Sequence, residues 1–175
     1  MNDANPDAIP FQEPRFYKTR IDLSEDIRIQ VVDLLNQTLA NSIDLESQIR
    51  QAIWYLRGEN FYQFYKLFDE ISEQIEAQVV LVSERISALA STPLMSVRIA
   101  ARYSQLAEFP FNVTTVVEML GALAQNVSLN GKLMRIAIEQ TTELDDVVTA
   151  DIYTELSRTT DKQLWLLEAH CHVDF

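Results

Sequence analysis

Between Asn60 and Leu89, apolar residues recur at Phe61, Phe64, Phe68, Ile71, Ile75, Val79, Val82, Ile86 and Leu89. The steps are three or four throughout, which predicts one buried face of a long helix. Gly58 is placed to end the helix before it, because glycine takes a left-handed C-terminal conformation at little steric cost. Asn60, with Gln63 three residues on, is placed to cap the helix that follows. The earlier helix is predicted to start after Ser24, an N-cap followed by Glu25 and Asp26, and to run to about Leu56. Its apolar face is Val32, Leu35, Leu39, Ile49, Ile53 and Leu56, interrupted by Ser42 and Glu46.

The second helix is predicted to end near Ala90. A connector over 91–111, bounded by Pro93 and Pro110, has room for a short helix within 94–106. A third long helix is predicted from Asn112 or Thr114 to Gln140, with Val116, Val117, Leu120, Leu123, Ala124, Val127, Leu133, Met134, Ala137 and Ile138 on its apolar side. Gly121 and Gly131 inside it each cost about 1 kcal/mol relative to alanine; close approach of another helix is one reason to find them there. Thr142 and Asp145 resemble a capping box, so a fourth helix is predicted after the loop 141–148, running to about His170.

The chain has 175 residues and is 47% hydrophobic, enough for one domain with a sizeable core. It holds three glycines and five prolines, and three of the prolines fall in the first fourteen residues. The body is therefore nearly free of helix breakers, and the expected fold class is all-α. The expected organisation is an extended arm over 1–22, a helical domain over 23–170 and a short tail over 171–175. The formal net charge of −12 disfavours binding to bare DNA or an anionic membrane and favours attraction of cations. No run of 18 apolar residues and no basic-then-apolar leader occurs, so no membrane span is expected and the expected location is cytoplasmic. Cys171 is the one cysteine, which excludes an internal disulfide. There is no Glu-x-x-His pair, phosphate-binding glycine loop or nucleophile elbow.

A second stripe lies beside the apolar face of the second helix: Tyr65, Asp69, Glu76, Val80 and Glu84. At 1.5 Å per residue, Asp69 and Glu84 are roughly 22 Å apart along one straight helix. If both acids serve one metal ion, a second chain must supply one of them, as an antiparallel helix pair across a two-fold axis would do. An Asp and a Glu on a helix flank also occur as solvated or salt-bridged surface acids.

These residues carry a resemblance. The chain resembles the Dps family, small ferritin-like proteins that build hollow shells and mineralise iron. The matching runs are Leu34 to Ala40, Asp44-Leu45, Gln51-Ala52, Trp54, Arg57-Gly58, Asn60-Phe61, Leu67-Phe68-Asp69, Ser83-Glu84-Arg85-Ile86, Thr149-Ala150-Asp151-Ile152 and Asp161 to Trp165. They extend over about Leu23 to Ala169. The resemblance implies an antiparallel four-helix bundle with a short helix in the long crossover, assembled as a homo-oligomeric dodecamer.

It also implies a ferroxidase site built from His, His and Asp of one chain and Asp and Glu of its two-fold partner. At that spacing this sequence has Ile53, Tyr65, Asp69, Val80 and Glu84. Only Asp69 and Glu84 keep the pattern. Ile53 and Val80 cannot ligate iron, and Tyr65 would have to ionise from a pKa near 10. Ile53, Tyr65 and Val80 read as interface packing in place of ligands. Trp54 reads as core or interface packing, and Asp44 and Glu46 as exposed acids or as supports behind a metal site.

The resemblance further implies iron-entry pores at the three-fold axes. Asp146, Asp151 and Glu155 are their candidates here, although acids at a helix start also serve its dipole. The tail His170-Cys171-His172 is a candidate accessory metal site or a frayed terminus. The expected function is a Dps-like cage for iron binding, storage and protection against oxidative stress, with an atypical ferroxidase site. The alternatives are a catalytically silent shell that binds another divalent metal or co-assembles with related subunits, and a DNA-protecting stress protein. DNA-condensing members of the family often carry a lysine-rich arm; here residues 1–14 have no Lys or Arg, and the nearest basic cluster is Arg15, Lys18 and Arg20.

Overall fold

A computed structural model describes residues 13–171. It contains four long helices and one short one: α1 (Glu25–Tyr55), α2 (Phe61–Ala88), α3 (Val97–Tyr103), α4 (Val116–Glu143) and α5 (Val147–Glu168). The fold is all-α, as the periodicity predicts. The expected arm over residues 1–12 and the His172 end of the tail lie outside the described residues.

Cross-helix bonds fix the directions. Arg28 Nη1 donates to Leu89 O at 3.0 Å, and Ser72 Oγ to Glu46 Oε1 at 3.3 Å, so α1 and α2 run antiparallel. Arg85 reaches Asp146 while Gln163 Nε2 donates to Gln74 Oε1 at 3.2 Å, so α5 is antiparallel to α2. Thr38 and Tyr153 hydroxyls lie 3.0 Å apart, tying the first half of α1 to the first half of α5. α3 sits in the crossover and packs on α1.

Each helix end has a local cause. Ser24 caps α1 by accepting from Ile27 N at 3.3 Å. Gly58 takes φ +94° between α1 and α2, the region glycine enters freely. Asn60 stands at the N-cap position but makes no side-chain bond to the helix, so its expected capping role is not formed. The capping box lies at α4 instead: Thr115 Oγ1 accepts from Glu118 N at 3.2 Å, and Glu118 Oε2 accepts from Thr115 N at 3.0 Å. Thr115→Ala is expected to lower the unfolding free energy by about 1 kcal/mol in urea denaturation.

The expected capping box at Thr142 and Asp145 is replaced by something different. Thr142 is still helical and donates to Ile138 O. Asp145 has φ +58°, and Asp146 N donates back to Thr141 O at 3.0 Å. That is a helix C-terminus closed by a left-handed residue. The end of α2 is built alike, with Ala90 at φ +58° and Ser91 N bonded to Ile86 O at 3.1 Å. Of the two helical glycines, Gly131 meets the expected close approach, since a Cβ there would lie 3.3 Å from Thr160 Cγ2, whereas Gly121 faces open space.

The core falls into two apolar clusters. One gathers Leu45, Ile49, Phe68, Ile71, Ile75, Leu120, Leu123 and Val127; the other gathers Val32, Leu35, Leu39, Val82, Ile86, Met134 and Tyr153. Burial pushes the Tyr153 phenol well above its ordinary pKa, with the Thr38 bond acting the other way, so it stays neutral. Ser42, which interrupts the apolar face of α1, is fully buried between the clusters. Among the described residues no helix is long and apolar enough to cross a membrane.

Candidate metal centre

α2 presents Asp69 half-buried and Glu84 exposed on its outward flank. Lys66 Nζ lies 3.9 Å from Asp69 Oδ2. A surface hollow of ≈ 360 Å³ beside Glu84 is lined by Val79, Val80, Ser83, Ser87 and Met95. The two acids stand roughly 22 Å apart along α2, at a 1.5 Å rise, and no cluster of three or more His, Cys, Asp or Glu forms among the described residues. One chain therefore does not bring them together.

The three positions that replace ligands differ from one another. Ile53 is buried in the chain's own core, so its reading as packing between chains is corrected to packing within one. Tyr65 is partly buried and stacks on Phe61 with centroids 5.9 Å apart. Val80 is 52% exposed and Trp54 is 74% exposed. Trp54 is therefore not a core residue of the single chain. Val80 on α2 and Trp54 at the end of α1 are large apolar groups that no described residue covers, a pattern that marks an interface.

The supporting acids are already engaged. Asp44 accepts from Gln48 Nε2 at 3.0 Å and from Ser104 Oγ. Glu46 accepts from Arg50 and from Ser72, and Arg50 also reaches Glu76 at 3.6 Å. Neither is an unengaged exposed acid.

The three pore candidates separate into two groups. Asp146 is the N-cap of α5 and is buried, with its carboxylate gripped by Arg85 Nη2 at 2.7 and 2.9 Å and by Thr149. Burial alone would raise its pKa, but the Thr149 bonds and the Arg85 guanidinium outweigh that and hold it below the usual carboxylate range. Both its oxygens are occupied inside the chain. Asp151 and Glu155 are exposed and line an open hollow with Gln74, Arg158, Thr159 and Lys162. The Arg85–Asp146–Thr149 unit was not read from the sequence; the Asp-x-x-Thr spacing at a helix start was its one local signal.

Near the end of α5, His170 Nδ1 donates to Leu166 O at 2.7 Å. The ring packs edge-on to Phe64, with centroids 5.6 Å apart. Cys171 is buried; burial first, then the charge of Glu168, pushes its thiol pKa up. Alkylation of Cys171 by iodoacetamide at pH 7.5 is accordingly expected to be at least about tenfold slower in the folded protein than in urea, as thiolate fraction and access set the rate.

The ferritin-like domain family model matches residues 32–173. The DNA protection during starvation protein of Agrobacterium fabrum is 34% identical over 154 residues, covering 88% of this chain and 95% of that protein. The chain belongs to the Dps family of ferritin-like proteins. DNA protection during starvation protein 1 of Deinococcus radiodurans is 31% identical over 139 residues, covering 79% of this chain and 67% of its own length. Among solved structures, DpsC from Streptomyces coelicolor superposes with a TM-score of 0.86 at 27% identity, covering 91% of this chain and 93% of that one. The Dps homologue of Halobacterium salinarum superposes with a TM-score of 0.84 at 22% identity over 90% of this chain and 88% of its own, a likeness of fold.

Proposed function

We propose that this Dps family member is a subunit of a homo-oligomeric, dodecameric shell that binds and stores iron and so limits oxidative damage. Iron is its cargo, and each intersubunit site is a reduced one made of Asp69 from one chain and Glu84 from its two-fold partner. The observation that supports this most directly is the flank of α2. It carries the half-buried Asp69 and the exposed Val80 and Glu84, and it separates the two acids too widely for one chain to use both. Pairing two such flanks antiparallel places each Asp69 opposite a Glu84, covers the apolar groups, and gives a carboxylate pair suited to a hard cation. Two carboxylates without imidazole hold ferrous iron weakly, so oxidation at this site is slower than at a site with a full ligand set.

Entry of iron rests on Asp151 and Glu155, whose side chains reach solvent. Asp146 supports that region by fixing the start of α5.

The test is an anaerobic ferrous titration of the assembled protein followed by peroxide or oxygen, with ferric absorbance read against time. Oxidation faster than iron in buffer supports a working site. A rate equal to buffer, with stoichiometric ferrous binding retained, leaves a storage shell without ferroxidase activity. No binding and no acceleration would overturn the reading.

A second reading, protection by direct contact with DNA, is favoured by the names of the relatives, which speak of DNA protection. The earlier expectation that DNA is not a partner draws no support from those names. The charge of −12 per chain, multiplied over a shell, opposes contact with phosphate. Protection through capture of iron needs no such contact. Retarded migration of plasmid DNA by the iron-free shell at 50 mM salt would favour the direct reading.

A further inference from the structure

Each of the four long helices contributes one buried neutral side chain that carries an unpaired polar atom: Ser42 from α1, Gln78 from α2, Asn130 from α4 and Gln163 from α5. All four are at most 5% exposed. Ser42 Oγ, both amide atoms of Gln78, Asn130 Oδ1 and Gln163 Oε1 have no hydrogen-bonding partner among the described residues. Native interiors pair almost all such atoms, so five of them together call for a ligand.

The bonds between helices place these residues at one level. Ser72 bonds Glu46 at 3.3 Å, and Ser42 stands one turn before Glu46. Gln163 bonds Gln74 at 3.2 Å, and Gln78 stands one turn after Gln74. Gly131 abuts Thr160, so Asn130 and Gln163 lie alongside each other. At 1.5 Å per residue the four fall within about 12 Å of one another along the bundle axis. Apolar groups close the band on both sides, with Leu39, Met134 and Tyr153 at one end and Leu45, Ile75 and Val127 at the other.

We infer that this band is a binding site for a small cluster of ordered water molecules, which complete the hydrogen bonds between the α1–α2 and α4–α5 hairpins. The donor set selects the ligand. The unpaired atoms comprise four oxygens that accept, together with the Gln78 amide N–H groups and the Ser42 hydroxyl that donate, and water does both. A cation, monovalent or divalent, would bring charge into a buried band of neutral groups. Glu46, the acid that approaches through Ser72, is already paired with Arg50. The cluster also fixes the height at which the two hairpins meet, because a slip of one turn would move the polar atoms onto apolar walls.

The experiment is a crystal structure of the assembled protein at about 1.5 Å, with a second data set from crystals soaked in rubidium chloride. The expected result is ordered water density within about 3.2 Å of at least two of the four side chains, with no anomalous rubidium signal. In Gln78→Leu crystals the waters that touched Gln78 are expected to be lost and the others retained. A dry band in which the four side chains bond directly to one another would overturn the inference. A rubidium peak in the band would also overturn it, by assigning the site to a cation. If Gln78→Leu fails to fold, the two wild-type data sets still decide between these outcomes.

Discussion

Replacing Arg85 with alanine is expected to lower the unfolding free energy by about 3–5 kcal/mol at neutral pH, the range for breaking a buried ion pair from one side. The side chains of Arg85 and Asp146 are only 9% and 2% exposed. Arg85 spends Nη2 on both Asp146 oxygens and Nε on Thr149 Oγ1 at 2.8 Å. Its loss leaves an ionised carboxylate in the interior with Thr149 alone to answer it. The pair also joins the last turn of α2 to the first of α5, so the damage extends beyond one contact. The double substitution Arg85→Met with Asp146→Leu should recover part of the loss, because it removes both charges together while the cap bonds to Thr149 stay lost.

The pH dependence supplies a separate check. The folded Asp146 pKa is depressed, so its contribution is present above the unfolded value, near 3.9, and is lost as pH falls through the lower folded value. The gap between wild type and Arg85→Ala in urea unfolding at fixed protein concentration should therefore be full at pH 7 and shrink below about pH 4. A gap under about 1 kcal/mol at pH 7, the worth of an exposed pair, would show that this bridge is not the internal tie described above.

Much of this architecture can be read from the chain because helical periodicity is a local property. Phe68, Ile71, Ile75, Val82, Ile86 and Leu89 repeat at the helical step, and all are fully buried. Gly58 marks its turn for the same kind of reason. The misplaced caps show where local reading fails. Thr115-x-x-Glu118 has the spacing of a capping signature and lies one to three residues beyond the expected start of the helix at Asn112 or Thr114. Thr142-x-x-Asp145 had nearly the same appearance, but Asp145 takes φ +58° because α4 closes on itself there, which depends on backbone geometry. The Arg85–Asp146 bridge spans 61 residues of sequence, and no periodicity announces such a partner. Trp54 and Ile53 are adjacent apolar residues on one helix, yet one is 74% exposed and the other buried. A sequence pattern reports that a side chain avoids water. It does not report whether the cover comes from the same chain or another.

That last distinction sets the second large expected effect. Asp69→Ala and Glu84→Ala are each expected to weaken ferrous binding by the assembled protein at least about tenfold, or ~1.4 kcal/mol. A unit charge pair at 4 Å is worth about 4 kcal/mol at an effective dielectric of 20, and desolvation of the acid and the ion offsets much of it. If each site needs one acid from each chain, the double variant should be little worse than either single one, since the partners act as a unit. Mixed assemblies give a sharper result. Join an Asp69→Ala chain to a Glu84→Ala chain across the two-fold axis: one site loses both acids and the other keeps both. Random co-refolding makes half of the dimers mixed, so about a quarter of the sites should regain wild-type affinity. Two single-variant preparations that each fail alone would thus recover partial binding when refolded together, but not when merely combined as finished shells. Acids that served separate sites within one chain would give no gain on co-refolding beyond the average of the two parents. Recovery therefore depends on Asp69 and Glu84 meeting across the interface between two subunits, the arrangement proposed above.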